Sequence, residues 1–309
     1  MTKSLLSVFD VTDSQIWAIL KTARDLKSGK IKGTPFKGKT LGMILEKPST
    51  RTTVSFAVAM YQLGGLPLIL DAANLQRKRG EPISDTARTL SRYVNGIMIR
   101  AFHHEDVEEF ARWASIPVIN GLTDHEHPCQ VFGDILTIME HRNIRSRDAL
   151  KKISVVFVGD GNNVANSWIA AAALLGFSFT LAAPKGYEPD PYFFKRAQKA
   201  AALTGARLTV TNDAIRAVKD ADVIYTDVWT SMGEENEQDK RRVDFRPYQV
   251  NAKLVASAPS NTMVMHCLPA IRGEEITDDV FEGPHSVIFD QAENRLHIQK
   301  SVLIHFLPK

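Results

Sequence analysis

Short apolar, β-prone runs alternate with helical patterns along almost the whole chain. The runs at 41–45, 97–99, 118–120, 153–158, 177–181, 223–225, 264–266 and 287–289 predict strands. The segments at 50–63, 85–93, 107–114, 130–141, 164–175, 191–203 and 213–218 predict helices. Alternation of this kind argues for parallel sheets in α/β layers. The pattern breaks at 143–152, where a helical stretch ends in Arg145-Ser146-Arg147-Asp148 and a new strand begins. That break predicts one domain over 1–142 and a second over 143–309. No solenoid-spaced repeat and no low-complexity tract interrupts either half. In open parallel sheets, ligands bind where strands end and the chain turns into helices, which directs the search for chemistry to those junctions.

Composition fits this picture. A chain of 309 residues is the size of two domains of about 150, and 44% hydrophobic residues can fill two cores. The net charge of +3 is too small for a nucleic-acid or membrane surface, but it allows a local basic pocket for an anion. The two cysteines, Cys129 and Cys267, follow no secretory-type leader. No apolar stretch reaches the roughly 20 residues that span a bilayer. The expectation is a reduced, cytoplasmic, water-soluble protein.

Two motif matches lack the setting their mechanism needs. Gly33 to Thr40 fits the phosphate-loop pattern G-x-x-x-x-G-K-T letter for letter. That loop works between a strand and a helix N-terminus. Here a Lys-rich helical segment comes first and a strand follows, so a polar turn is expected instead. The run from Ile153 through Gly159-Asp160-Gly161 opens like a dinucleotide-binding unit. However, Val164 stands at the third glycine position, and Leu181-Ala182-Ala183-Pro184 supplies no acid for a ribose. The βα geometry is retained without the dinucleotide, leaving Asn162 and Asn163 for a small polar ligand. No metal is expected either. Pro128 interrupts His125, His127 and Cys129, and adjacent His266 and Cys267 would face opposite sides of a strand.

Six stretches carry plausible chemistry. Glu46-Lys47-Pro48-Ser49-Thr50-Arg51-Thr52-Thr53 ends a strand and caps a helix. Free N–H donors, hydroxyls and a guanidinium there form an anion cradle, although a capped helix with Arg51 in solvent fits equally well. Arg100 ends a strand. His127-Pro128-Cys129-Gln130 starts a helix, where an imidazole can donate to a carbonyl and an amide can bind an NH2 group. Asp227, with Ser231-Met232-Gly233, offers a carboxylate for an ammonium and a small loop for a carboxylate. The charged run 234–242 after it reads as a solvated flap. His266-Cys267-Leu268-Pro269 and Glu293-Asn294-Arg295 complete the set.

Taken in this order, the six stretches resemble the ornithine carbamoyltransferase family, and the resemblance covers essentially the whole chain. It implies two parallel-sheet α/β domains with the active site in the cleft between them, and a C-terminal helix, about 293–309, packing on the first domain. It implies transfer of a carbamoyl group from carbamoyl phosphate to the side-chain amine of L-ornithine in arginine metabolism, with no metal and no organic cofactor. By resemblance, Ser49, Thr50, Arg51, Thr52 and Arg100 bind the phosphate. His127, Pro128, Cys129 and Gln130 bind the carbamoyl end, and Cys267, Leu268 and Arg295 complete that pocket. Asn163, Asp227, Ser231 and Met232 match the ornithine site. Arg100, His127, Asp227 and Cys267 are the expected catalytic groups. Gln76 matches a glutamine supplied by a neighbouring subunit of a trimer. Arg77-Lys78 and Ile271 depart from the family pattern. Transfer to putrescine or acetylornithine, a non-catalytic anion sensor and a nucleotide binder are the rival readings.

Overall fold

The computed structural model describes residues 4–72, 75, 80–231 and 235–308. The chain divides into two compact units, Met1–Leu136 with Glu293–Lys309, and Thr137–Ala292.

The first unit opens with α1 (Asp13–Lys27), held at its start by a reciprocal Thr12/Gln15 capping box. β1 (Thr40–Leu45), α2 (Thr50–Gln62), β2 (Leu66–Asp71), α3 (Ile83–Leu90), β3 (Gly96–Arg100), α4 (His104–Trp113), β4 (Val118–Leu122) and α5 (Pro128–His141) follow, the last continuing into the second unit from Thr137. The strands pair in parallel in the order β2-β1-β3-β4. β3 is buried along its full length, as expected of an inner strand covered on both faces. Ile44, Ile97, Ile99, Val107, Phe110 and Val118 form a core between sheet and helices.

The second unit contains α6 (Arg147–Leu150), β5 (Ser154–Val158), α7 (Asn163–Leu175), β6 (Ser178–Ala182), α8 (Pro191–Thr204), β7 (Leu208–Thr211), α9 (Ala214–Ala217) and β8 (Val223–Thr226). α10 (Gln238–Phe245), α11 (Ala252–Val255), β9 (Met263–His266) and α12 (Asp278–Phe281) complete it. Its parallel order is β7-β6-β5-β8-β9. α7 is rich in alanine and almost wholly buried, and its Trp168 packs on Phe177, Phe179 and Tyr225. α13 (Ile288–Phe306) crosses from the second unit into the first at Glu293. No helix among the described residues is long and apolar enough to cross a membrane.

Three features differ from the sequence reading. Residues 287–289 do not form a strand. The backbone runs beside β9 only from His285 to Val287, then turns into α13. Three apolar residues are too few to distinguish strand from helix. β2 and β7 were not expected, and both are sheet edges. Pro67 lowers the strand signal of β2, yet an edge strand tolerates a residue with no N–H to donate. The run 234–242 is not a solvated flap throughout. Its second half enters α10, where Arg241 is buried while Arg242 is exposed. Gly33 to Thr40, by contrast, is the expected turn, lying after α1 and leading into β1.

Candidate active site

The chemistry-bearing residues gather in two clusters, one within each unit. The first lies where β1, β3 and β4 end. Ser49 adopts extended backbone angles and caps α2, its hydroxyl accepting the Thr52 N–H at 3.2 Å. The cap turns the chain so that the first turn of α2 carries Thr50, Arg51 and Thr52. Thr52 is fully buried. Its hydroxyl oxygen faces two guanidiniums, with Arg100 Nη1 at 3.4 Å and Arg295 Nη2 at 2.8 Å. Arg100 comes from the end of β3 and Arg295 from α13, and both are buried. Sequence separations of 48 and 243 residues thus close on one hydroxyl.

His127 is buried beside this cationic group. Burial first, then the charges of Arg295, Arg100 and Arg51, hold its pKa well below the usual imidazole value. The ring is therefore neutral at physiological pH and can donate one hydrogen bond without adding charge. Pro128 opens α5, and Gln130, in its first turn, donates to buried Asp134 at 2.8 Å. Asp134 is a partner that sequence reading missed, although its i+4 spacing on α5 was a usable signal. The Cys129 thiol points to the Asn120 carbonyl at 4.0 Å, and burial raises its pKa to about 12. It is an unreactive core thiol. Gln76 lies outside the described residues.

The second cluster lies where β5, β8 and β9 end. Asp227 follows β8 and is buried. One carboxylate oxygen accepts from the Cys267 thiol at 3.0 Å and from Val228 N–H at 2.8 Å. The other accepts from the Asn162 amide at 2.9 Å. Asn162 also caps α7, taking the N–H groups of Val164 and Ala165. Asn163 begins that helix, and Ser231 is half-buried beyond Trp229. Met232 lies outside the described residues. The space a side chain would need at Gly161 is filled by the chain itself, with Pro189 N at 2.5 Å, so that glycine serves loop packing.

A buried His–Glu pair, missed in the sequence, shapes the loop after β9. His266 Nδ1 accepts the Leu268 N–H at 2.9 Å. The proton is thus on Nε2, which donates to fully buried Glu275 at 3.0 Å. The same Glu275 oxygen accepts Ile271 N–H at 2.6 Å. Leu268 is held at φ 62°, a left-handed conformation costly for a branched side chain. Where β9 ends, the donor atoms of Asp227, His266 and Cys267 lie within 4.8 Å of one another. This corrects the expectation that His266 and Cys267 face apart, since the pleat ends at His266. The three do not fit a metal, because both His266 nitrogens are committed to Leu268 and Glu275.

The domain description "Aspartate/ornithine carbamoyltransferase, carbamoyl-P binding domain" matches residues 3–140, and "Aspartate/ornithine carbamoyltransferase, Asp/Orn binding domain" matches residues 151–306. The chain is 54% identical to the ornithine carbamoyltransferase of Methanosphaera stadtmanae over 98% of each chain. The solved ornithine carbamoyltransferase of Pyrococcus furiosus is 53% identical with a TM-score of 0.91, covering 97% of this chain and 95% of its own. The anabolic ornithine carbamoyltransferase of Campylobacter jejuni superposes at a TM-score of 0.93 with 40% identity, covering 99% of both.

Proposed function

Because the chain belongs to the aspartate/ornithine carbamoyltransferase family, we propose that its first unit binds carbamoyl phosphate and its second unit binds L-ornithine. The chain is a carbamoyltransferase. It moves the carbamoyl group to the side-chain amine of ornithine, releasing citrulline and phosphate.

The observation that best supports the donor assignment is the Thr52 hydroxyl flanked by two buried guanidiniums at the start of α2. A dianionic phosphate gains from the helix N-terminus, from Ser49, Thr50 and Thr52, and from Arg51 and Arg100. His127 and Gln130 take the carbamoyl end, with Pro128 and Cys129 forming the backbone there. Arg295, with Cys267 and Leu268, completes the donor contacts. As the acceptor amine attacks the carbonyl carbon, negative charge develops on its oxygen. Arg100 and neutral His127 stabilise that oxyanion, a contribution of about 3 kcal/mol per donor. The C–O bond to phosphate then breaks, and the phosphate departs toward Arg51.

Asn163, Asp227, Ser231 and Met232 hold ornithine. Its amine has an ordinary pKa near 10.4, so it must lose a proton before attack. Asp227 and Cys267, already sharing a hydrogen bond, orient that amine and manage its proton. An acceptor panel tests the reading. With carbamoyl phosphate, ornithine outperforms putrescine, acetylornithine and aspartate by about 10⁴ or more, because the site's polar groups are left unpaired by the others. Comparable turnover with putrescine contradicts it.

The protein works as a cytoplasmic homotrimer with shared sites, without nucleic-acid or membrane partners. Its two cysteines are free thiols. Val54 and Tyr61 on α2 and Leu66, Leu68 and Ile69 on edge strand β2 are exposed, an apolar surface suited to another copy. Arg51→Ala and Gln76→Ala are each poor enzymes. Mixed and reassembled, they recover about a quarter of wild-type activity if Gln76 serves a neighbour. If exchange is complete and activity only averages the parents, Gln76 does not serve a neighbour.

A further inference from the structure

Arg241 has no role in the two clusters, yet it is one of the most constrained side chains in the second unit. It stands between Lys240 and Arg242, both on the outer side of α10, but it is buried. Its Nη1 donates to Asp160 Oδ2 at 2.7 Å and to the Trp229 carbonyl at 3.0 Å. Its Nε donates to Glu237 at 3.1 Å, and the guanidinium lies 5.1 Å from the centre of the Tyr187 ring. Neighbours on α10 hold the same ring, Lys240 and Asp244 both bonding the Tyr187 hydroxyl. The Tyr187 carbonyl in turn accepts Gly161 N–H at 2.9 Å.

Each partner belongs to a segment that carries an acceptor residue. Asp160 lies in the turn leading to Asn162 and Asn163. Trp229 lies midway between Asp227 and Ser231. A planar fork with fixed donor directions can register two backbones against each other, which a flexible ammonium does poorly. We infer that Arg241 is a positioning residue for the acceptor. By joining Asp160 to the Trp229 carbonyl, it sets Asn163 and the 227–231 segment at the spacing that ornithine requires. This rests on the assignment of that segment to ornithine.

The test compares steady-state constants of the full-length enzyme carrying Arg241→Met, Arg241→Lys, Asp160→Asn or Asp227→Asn. Arg242→Met, at a half-exposed position on the same helix, is the control. Arg241→Met raises the KM for ornithine tenfold or more and moves the KM for carbamoyl phosphate less than twofold. kcat at saturating ornithine stays within about threefold, since Arg241 does not touch the reacting atoms. Arg241→Lys falls between wild type and Met, and Arg242→Met leaves both KM values unchanged. A purely structural role would lower the melting temperature and kcat while leaving both KM values alone, and that result overturns the inference. An equal rise in both KM values also overturns it. Should Arg241→Met fail to fold, Arg241→Lys and Asp160→Asn are judged by the same split. If Asp227→Asn leaves the KM for ornithine unchanged, the acceptor assignment falls and this inference with it. If Asp227→Asn responds and the Arg241 variants do not, only the inference falls.

Discussion

The two clusters are built on different principles. The first concentrates positive charge. Arg100 and Arg295 meet at Thr52, and Arg51 is close enough for its charge to act on His127. The second is a hydrogen-bonded frame, in which Asp227 is surrounded by Cys267, Asn162 and Val228 N–H. The contrast fits the ligands proposed for the two clusters. A phosphate dianion needs compensating charge and many donors. An amino acid carries both signs, and it is recognised by where single groups sit. The first cluster should therefore fail through lost charge, and the second through lost position.

The largest effect is expected in the charged cluster. Arg100→Ala lowers kcat/KM for carbamoyl phosphate by at least about 100-fold, through loss of a charge-assisted donor in a buried site. The circular dichroism melt stays cooperative. Full activity with an unchanged melt contradicts the donor assignment.

The frame should respond in stability. Glu275→Ala leaves the His266 Nε2–H and the Ile271 N–H without their buried acceptor. It costs about 2–6 kcal/mol in urea unfolding, at about 1–3 kcal/mol per orphaned donor. It also releases the strained Leu268 turn, so the KM for ornithine rises. A loss below about 1 kcal/mol would show that the His266–Glu275 pair does not hold the loop.

A smaller effect separates the clusters by pH. His127 has a folded pKa well below the value of about 6.5 in an unfolded chain. As pH falls below that value, the unfolded chain takes up the proton first and stability is lost. Between pH 7.5 and 5.5 this group therefore contributes a share of the fold's acid sensitivity. His127→Gln removes that share of the acid sensitivity, as paired urea melts at the two pH values would measure. Identical pH dependence in variant and wild type contradicts a neutral buried imidazole.

The same contrast explains what the sequence made legible. The cationic cluster uses contiguous residues at strand ends, such as Ser49 to Thr52 with its cap, and such stretches carry their geometry in their order. Inner strands β1, β3, β5 and β8 stood out because burial on both faces makes them continuously apolar. The frame was less legible. Glu275 reaches His266 from nine residues away across an irregular loop, and Arg241 reaches Asp160 across 81. Neither spacing is periodic, and Arg241 sits in a run that reads as solvated. Edge strands β2 and β7 lacked the same double-sided signal, and Pro67 weakened β2 further. The parts that failed to show are those whose partners are fixed only by tertiary packing.

The division of labour itself is tested most directly by phosphate binding. Inorganic phosphate is titrated by calorimetry into the wild type, Arg51→Ala and Asp227→Asn, with no ornithine present. Phosphate affinity should fall at least tenfold in Arg51→Ala and stay within twofold of wild type in Asp227→Asn. Unchanged affinity in Arg51→Ala, or a comparable loss in Asp227→Asn, would contradict the account.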